Sequence, residues 1–457
     1  MFAAFFLSVS LFGIFGKEQQ PTSSQTSSHA TQSVAVATLF TVSARTPDGI
    51  GPSIDGAFVL RHSILATLPS QHFVSTETRF VGLDSFSQYS AHLSDGIKQE
   101  WVDVYRFQSP GGIHGDLVDI ELRFVALVTP DVPPHFIPMI RGIGYEVWMT
   151  HAPINASEIR NEQIRQETLV DGAMGISELT KLDGLRMGRE FDTVIMVDCD
   201  VMFHKLFTID NPREKIQAQV VNEDVSPSSV WAPGAGGLLN IEAILGWTKG
   251  GWVSERINGG FLVFSPRHPK AALHLQRIVE LLREGDFRPG SGWKGRGIGW
   301  TYGGRTIQGV LPHYFFLEAT EDHNNNNNNN NITTSTTLTF RPHVQLDRCR
   351  YNNMVQLEPC KVVPFSTVTS NHFTGDCVKP WTCAHRPHPL CGQFVDAWLD
   401  TYRMALLGDP RVRHVVKKSD ELSVFAMAKW VKSGGRCPGR GHFVSLAASM
   451  LRYAPLH

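Results

Sequence analysis

An apolar run, Thr193–Val197 (T-V-I-M-V), ends at Asp198-Cys199-Asp200. Two carboxylates at i and i+2 at a strand end can both reach a cation held in the turn, and hard oxygen ligands of this kind suit Mg²⁺ or Mn²⁺. Ligands of an open α/β sheet bind beyond the carboxyl ends of its strands, which is where this pair sits. A bare D-x-D is common, so a second feature has to choose the chemistry. Much later, His372 opens H-F-T-G-D-C-V-K-P-W, which closes on Lys379-Pro380-Trp381. A neutral ring nitrogen of His372 is a candidate third metal ligand. Gly375 allows the backbone close to a phosphate, and Lys379 offers a point charge to a pyrophosphate. The histidine must be deprotonated to bind, so metal affinity is expected to fall below about pH 6.5.

Two enzyme classes use a strand-end D-x-D. One is the metal-dependent glycosyltransferases that take nucleotide-sugars. The other is the aspartyl-phosphate hydrolases of the haloacid dehalogenase type, whose first Asp is the nucleophile. Val201 suits the hydrolase pattern D-x-D-x-(T/V). That class also carries a downstream acidic motif such as G-D-x-x-x-D, and Gly285-Asp286 has Gly290 where the second Asp should stand. The hydrolase reading is the weaker one.

At the D-x-D and the H-x-x-G…K-P-W the chain resembles glycosyltransferase family 8, the glycogenin-like group. Further pieces agree in order: G-A-F-V-L-R-H-S-I at Gly56–Ile64, L-T-K-L at Leu179–Leu182, and I-N-G-G-F-L-V-F-S-P at Ile257–Pro266. The resemblance runs from about residue 34 to 384 and is loose between its two strong ends. It implies an α/β GT-A fold, a Rossmann-like mixed sheet flanked by helices, that binds a UDP-sugar and Mn²⁺, with Mg²⁺ as the alternative. By resemblance, Asp198 and Asp200 hold the metal, with Asp198 also at the donor, and His372 completes the metal shell. Lys379 and the Gly375 backbone grip the pyrophosphate. Leu39 and Thr41 meet the uracil, Lys181 approaches the diphosphate or sugar, and Asn258 and Gly259 meet the donor sugar. The implied reaction moves a hexosyl or hexuronosyl group, with retention, to a glycan or protein acceptor.

Two departures from the family pattern matter. Three residues separate Gly375 from Lys379 where glycogenin has two. The family's D-Q-G stands here as Ile307-Gln308-Gly309, and Ile can neither accept a proton nor stabilise a cationic sugar. Either Gln308 or a donor-side group supplies the missing polarity, or the protein is a non-catalytic sugar-nucleotide binder.

These residues need a frame. Val34–Thr41, Phe124–Val128, Gly144–Met149, Thr193–Val197 and Phe261–Phe264 read as strands. Gly56–Leu68, 176–190 and Pro269–Arg283 read as helices. Strands alternating with helices imply an α/β sheet with crossover connections. Residues 71–121 look irregular and polar, an insertion in a catalytic domain spanning 34–320. Asn324–Asn331 and the Thr/Ser run after it mark a low-complexity loop over 321–340. The catalytic domain ends over 341–384, and 385–457 forms a Cys-rich C-terminal helical extension with helices at Gln393–Leu407 and Glu421–Lys432.

Composition narrows the partners and the compartment. The 457 residues carry 42 Lys+Arg against 43 Asp+Glu, which removes the electrostatic footprint of a nucleic-acid binder. An apolar content of 42% allows a sizeable core and excludes global disorder. The apolar run over residues 1–16 is short for a membrane span but suits a signal peptide or anchor, although it lacks a basic n-region. A Ser/Thr/Gln-rich stalk, Gln19–Ser33, follows it. Six of the seven cysteines (Cys349, Cys360, Cys377, Cys383, Cys391 and Cys437) cluster late, which fits disulfides in an oxidising compartment. N-x-S/T sequons occur at Asn155 and Asn331. The expected location is the secretory pathway, in the Golgi lumen.

Overall fold

The structure is a computed structural model that describes residues 31–42, 50–68, 73–82, 99–111, 116–170, 175–205, 245–248, 257–298, 304–319, 343–375, 377, 379–382, 388–412 and 446. Its strands are β1 Thr31–Phe40, β2 Phe73–Gly82, β3 Gln99–Gly111, β4 Asp116–Val128, β5 Glu146–Met149, β6 Thr193–Val197, β7 Val201–Phe203, β8 Leu245–Thr248, β9 Phe261–Phe264, β10 Phe287–Arg288, β11 Gly292–Trp293, β12 His343–Leu346 and β13 Ser370–His372. The helices used below are α1 Ile50–Thr67, α2 Ile137–Gly142, α3 Glu162–Val170, α4 Ala271–Glu284, α5 Ile307–His313 and the C-terminal helix Pro389–Gly408.

One mixed sheet organises the described residues, in the order β12-β8-β9-β6-β1-β4-β3-β2, with β5 also on β4. β1 lies parallel between β4 and β6, and β9 runs antiparallel between β6 and β8. This is the expected fold class, a Rossmann-like mixed sheet flanked by helices, and its own topology establishes it. Both faces are covered, so the central strands are apolar throughout and alternate sides. Val34, Val36, Phe124, Ala126, Ile195, Val197, Phe261 and Val263 join α1 and the C-terminal helix in one cluster. Ala35, Ala37, Val125, Leu127, Val194, Met196, Leu262 and Phe264 join 175–189, α4 and α5 in the other. On the first side Trp398 stacks on Tyr402 with ring centroids 5.2 Å apart, and Phe58 of α1 meets Tyr402 edge-on.

Thr193–Val197 and Phe261–Phe264 are strands with the expected bounds, and α4 and the C-terminal helix fall within a few residues of theirs. Other expectations need correction. Residues 176–190 are not an α-helix but 3₁₀ segments, Gly175–Leu185 and Met187–Arg189. Ile176, Leu179, Leu182 and Leu185 recur every third residue, and three residues per turn is the 3₁₀ period. The described residues within 71–121 are not irregular: they form β2, β3 and the start of β4, an antiparallel extension of the sheet. Backbone pairing needs no apolar run, and Arg106 faces Glu121 across the ladder at 3.6 Å. Thr31–Ser33, read as the end of the stalk, instead extend β1, where the Ser33 N–H and hydroxyl both donate to Asp192 at 2.7 Å.

Two disulfides, Cys349–Cys360 and Cys377–Cys391, bear out pairing within the late cysteine cluster, and Cys199 is a free thiol. Cys383, Cys437, the asparagine run, the helix expected at Glu421–Lys432 and the apolar run over residues 1–16 lie outside the described residues. Among the described residues no helix is long and apolar enough to cross a membrane.

Candidate active site

β6 stays buried to Val197 and then delivers Asp198, Cys199 and Asp200 in a turn at its carboxyl end, closed by the Val201 N–H donating to the Asp198 carbonyl at 3.0 Å. β7 leaves that turn and pairs antiparallel with β13, which sets His372 opposite Val201. The Phe373 N–H donates to the Asp200 carbonyl at 2.9 Å and locks the register. His372 therefore reaches the acidic pair through a two-stranded ribbon, not through the main sheet. Its Nε2 lies 3.2 Å from Asp200 Oδ1 and 3.7 Å from Asp198 Oδ2. One ligand atom from each of the three residues falls within 4.8 Å of the others.

Glycine makes room for this convergence twice. A Cβ on Gly260 would lie 2.3 Å from His372 Cε1 and 2.7 Å from Asp198 Oδ2. A Cβ on Gly56 of α1 would lie 2.4 Å from the Cys199 carbonyl oxygen, so the helix can back directly onto the turn. Asn258 braces the glycine pair, its Oδ1 accepting from the Gly260 N–H at 3.0 Å and from Asn352 Nδ2 at 3.0 Å. Asn258, expected at the donor sugar, thus makes internal bonds beside Gly259. Gly375 has φ +63°, and a Cβ there would run into the Gln356 side chain.

Two lysines balance the two carboxylates. Lys181, 1% exposed, places Nζ 2.7 Å from Asp198 Oδ1 and donates to the Gly259 carbonyl at 3.0 Å. Lys379 meets Asp200 Oδ2. Burial acts against the Lys181 charge, but Asp198 and Glu178 outweigh it, and its pKa is raised. Burial likewise works to raise the Asp198 pKa, yet Lys181, His372 and Lys379 hold it below the ordinary value. His372 is pushed down to about 4 by burial, against the pull of Asp198 and with help from Lys181 and Arg348. Its imidazole is therefore neutral across the physiological range. That corrects the expectation of a histidine-linked loss of metal below about pH 6.5, which took the value of a solvated side chain. Burial also raises the Cys199 thiol, so it packs rather than reacts.

Two oxygen donors and one neutral nitrogen form a donor set that fits Mn²⁺ or Mg²⁺, the nitrogen tilting it toward Mn²⁺. Asp198, Asp200, His372, Lys181 and Lys379 are all brought together, and Gly259 joins them through Lys181. Gln308 of α5 reaches the same place, its Oε1 accepting from the Gly259 N–H at 3.0 Å. Ile307 is fully buried, and its Cγ2 would lie 3.0 Å from a Cβ on Gly259. Leu39 is buried in the core at the end of β1, a strand neighbouring β6. The Thr41 hydroxyl donates to Asp131 at 3.0 Å, and the Val42 N–H does so at 2.8 Å. Sequence reasoning missed Gly260, Asn352, Asp131, Glu178 and Thr306. The N-G-G triplet was a visible signal for Gly260; the other four carry none.

No family model matches this sequence, and a search among curated proteins finds no match. Among solved structures, the glycosyltransferase GlyE of Streptococcus pneumoniae TIGR4 is 12% identical, with 85% of this chain and 64% of that one covered at a TM-score of 0.37. The galactosyltransferase LgtC, solved with donor and acceptor sugar analogs, is 11% identical, with 81% and 95% covered at 0.33. Mouse xyloside xylosyltransferase 1 is 10% identical, with 76% and 98% covered at 0.32. The chain thus spans just under two thirds of the length of GlyE. Likeness at this level leaves the activities of those proteins with them.

Proposed function

We propose that this chain is a metal-dependent glycosyltransferase of the GT-A, family 8 type, moving a hexosyl or hexuronosyl group from a UDP-sugar to a glycan or protein acceptor with retention. One observation carries the reading: Asp198, Asp200 and a neutral His372 converge beyond the carboxyl end of a central strand, with Lys181 and Lys379 on the two carboxylates. With His372 neutral, Asp198, Asp200 and Glu178 are balanced by Lys181, Lys379 and Arg348, which leaves this cluster without net charge. A divalent cation added alone would leave it positive, whereas a cation arriving with a diphosphate restores the balance. The cluster therefore suits a metal–nucleotide complex better than a bare ion.

In this reading Asp198, Asp200 and His372 would hold Mn²⁺, or Mg²⁺ in its place, and the chemistry such an ion would supply is neutralisation of charge on a departing diphosphate. Lys379 and the Gly375 backbone flank the pyrophosphate. Leu39 and Thr41 border the uracil, and Gly259, held by Gln308 and Lys181, forms the floor beneath the donor sugar with Asn258 next to it. The two disulfides support an oxidising compartment, the secretory lumen or Golgi.

Calorimetric titration of UDP with and without Mn²⁺, on the wild type and on His372→Ala, tests the reading. Mn²⁺ should strengthen UDP binding to the wild type and do so much less in the variant. Equal enhancement in both would remove His372 from the metal site. A second reading, a non-catalytic sugar-nucleotide binder, is favoured by the buried Ile307 beside Gly259. Mn²⁺-dependent release of UDP from a UDP-sugar separates the two.

A further inference from the structure

Ile307 leaves the floor of the site without the carboxylate that its neighbours imply, and a different residue brings one to the same spot. The 3₁₀ segment Gly175–Leu185 places Glu178 and Lys181 one turn apart, and at three residues per turn they lie along one edge. Both reach Gly259. Lys181 donates to its carbonyl at 3.0 Å, and Glu178 Oε1 would lie 3.1 Å from a Cβ built on it. That same Cβ position is 3.0 Å from Ile307 Cγ2 and 3.2 Å from Gln308 Cγ. Glu178, Ile307 and Gln308 thus converge on a single backbone position from two separate elements.

Thr306, the residue before Ile307, fixes this arrangement. It is buried, and its hydroxyl donates to Glu178 Oε2 at 2.5 Å, while Oε1 lies toward Gly259. Glu178 is half-buried, unlike the fully buried Lys181.

We propose that Glu178 supplies, on the donor-sugar side of the site, the carboxylate that Ile307 cannot. The inference rests on the glycosyltransferase reading and deepens it. As the bond between the anomeric carbon and the diphosphate oxygen breaks, both electrons leave with the phosphate, and positive charge spreads over the anomeric carbon and the ring oxygen. The ionised Glu178 carboxylate faces that charge and forms no covalent bond. The acceptor oxygen then bonds to the anomeric carbon, and its proton passes to the released diphosphate. Thr306 is a positioning residue that keeps the carboxylate turned inward.

The test uses the full-length protein with Mn²⁺ and UDP-glucose, UDP-galactose and UDP-glucuronic acid. It follows UDP release, calorimetric UDP affinity and melting temperature. Glu178→Gln keeps the side chain's shape and an acceptor for Thr306. It should lower kcat by about 10²-fold, the scale of losing one stabilising group, with UDP affinity and melting temperature unchanged. Adding Ile307→Asp to that variant returns a carboxylate to the same position and should recover about tenfold or more of the loss. Wild-type kcat in Glu178→Gln, a parallel loss of UDP affinity, or no recovery in the double variant overturns the assignment. A wild type that binds UDP with Mn²⁺ but turns over none of the three donors overturns Glu178 and leaves the binder reading standing. A wild type without Mn²⁺-dependent UDP binding removes the function reading itself, and this assignment with it.

Discussion

A methyl group at Gly260 would lie 2.3 Å from His372 Cε1, 2.9 Å from His372 Nδ1 and 2.7 Å from Asp198 Oδ2. Carbon atoms settle at about 3.5–4.0 Å from one another, so the imidazole would have to retreat by more than about 1 Å. The backbone cannot help it do so, because β13 is paired with β7 and the His372 N–H donates to the Asn353 carbonyl at 3.1 Å. Gly260 lies outside the left-handed region, so alanine there carries no conformational penalty and the effect is steric. Overpacking of this size costs about 1–3 kcal/mol. Misplacing a reactive or ligating group by about 1 Å costs about 10²-fold. Gly260→Ala should therefore fold with a modestly lowered melting temperature and lose about 10²-fold of the Mn²⁺ enhancement of UDP binding. Calorimetric UDP titration with and without Mn²⁺ reads this directly. Gly392→Ala on the C-terminal helix is the control, because a Cβ there meets nothing within 4 Å. A Gly260→Ala protein with the full Mn²⁺ enhancement would refute the claim that this glycine holds His372 and Asp198 in register.

Two further outcomes follow from the packing. His204 is pushed down to about 4 by burial among Phe365 and Phe394, only partly offset by its bond to Asn371, so the unfolded chain takes up its proton first. Its contribution to stability is whole above about pH 6.5 and is lost as pH falls toward about 4, amounting to about 2 kcal/mol by pH 5. Urea midpoints at pH 7.5 and pH 5 should show this fall added to those of His274 and His372, also pushed down to about 4, and His204→Gln should shrink the total by its share; an unchanged fall in the variant contradicts the assignment. Cys377–Cys391 spans 14 residues and ties the Gly375–Lys379 loop to the C-terminal helix. Cys391→Ser should cost about 3 kcal/mol in a non-reducing urea titration and weaken UDP binding as well. A variant as stable and as tight as the wild type would show that the bridge does neither.

Much of this protein is written locally. Thr193–Val197 and Phe261–Phe264 are legible because a strand covered on both faces must be apolar at every position, and a break in that pattern marks its end. The acidic pair is legible because both carboxylates leave one strand end, two residues apart. The late cysteines announced by their clustering that they form disulfides, though not which partners they take, and α4 announced its buried face by its spacing. Other features depend on parts of the chain that meet only in three dimensions. The three-residue spacing of Ile176–Leu185 was visible, but choosing 3₁₀ over α-helix depends on how the segment seats between the sheet, α3 and α4. The ordinary pKa of His372 gave way to about 4 because desolvation is a property of the assembled site. Asn258 stood out beside its glycines, but its bond to Asn352, 94 residues away, did not. Nothing near Glu178 in sequence marks it. Its partner Thr306 stands 128 residues away, and only the folded sheet brings a carboxylate on one element to the gap left by Ile307 on another.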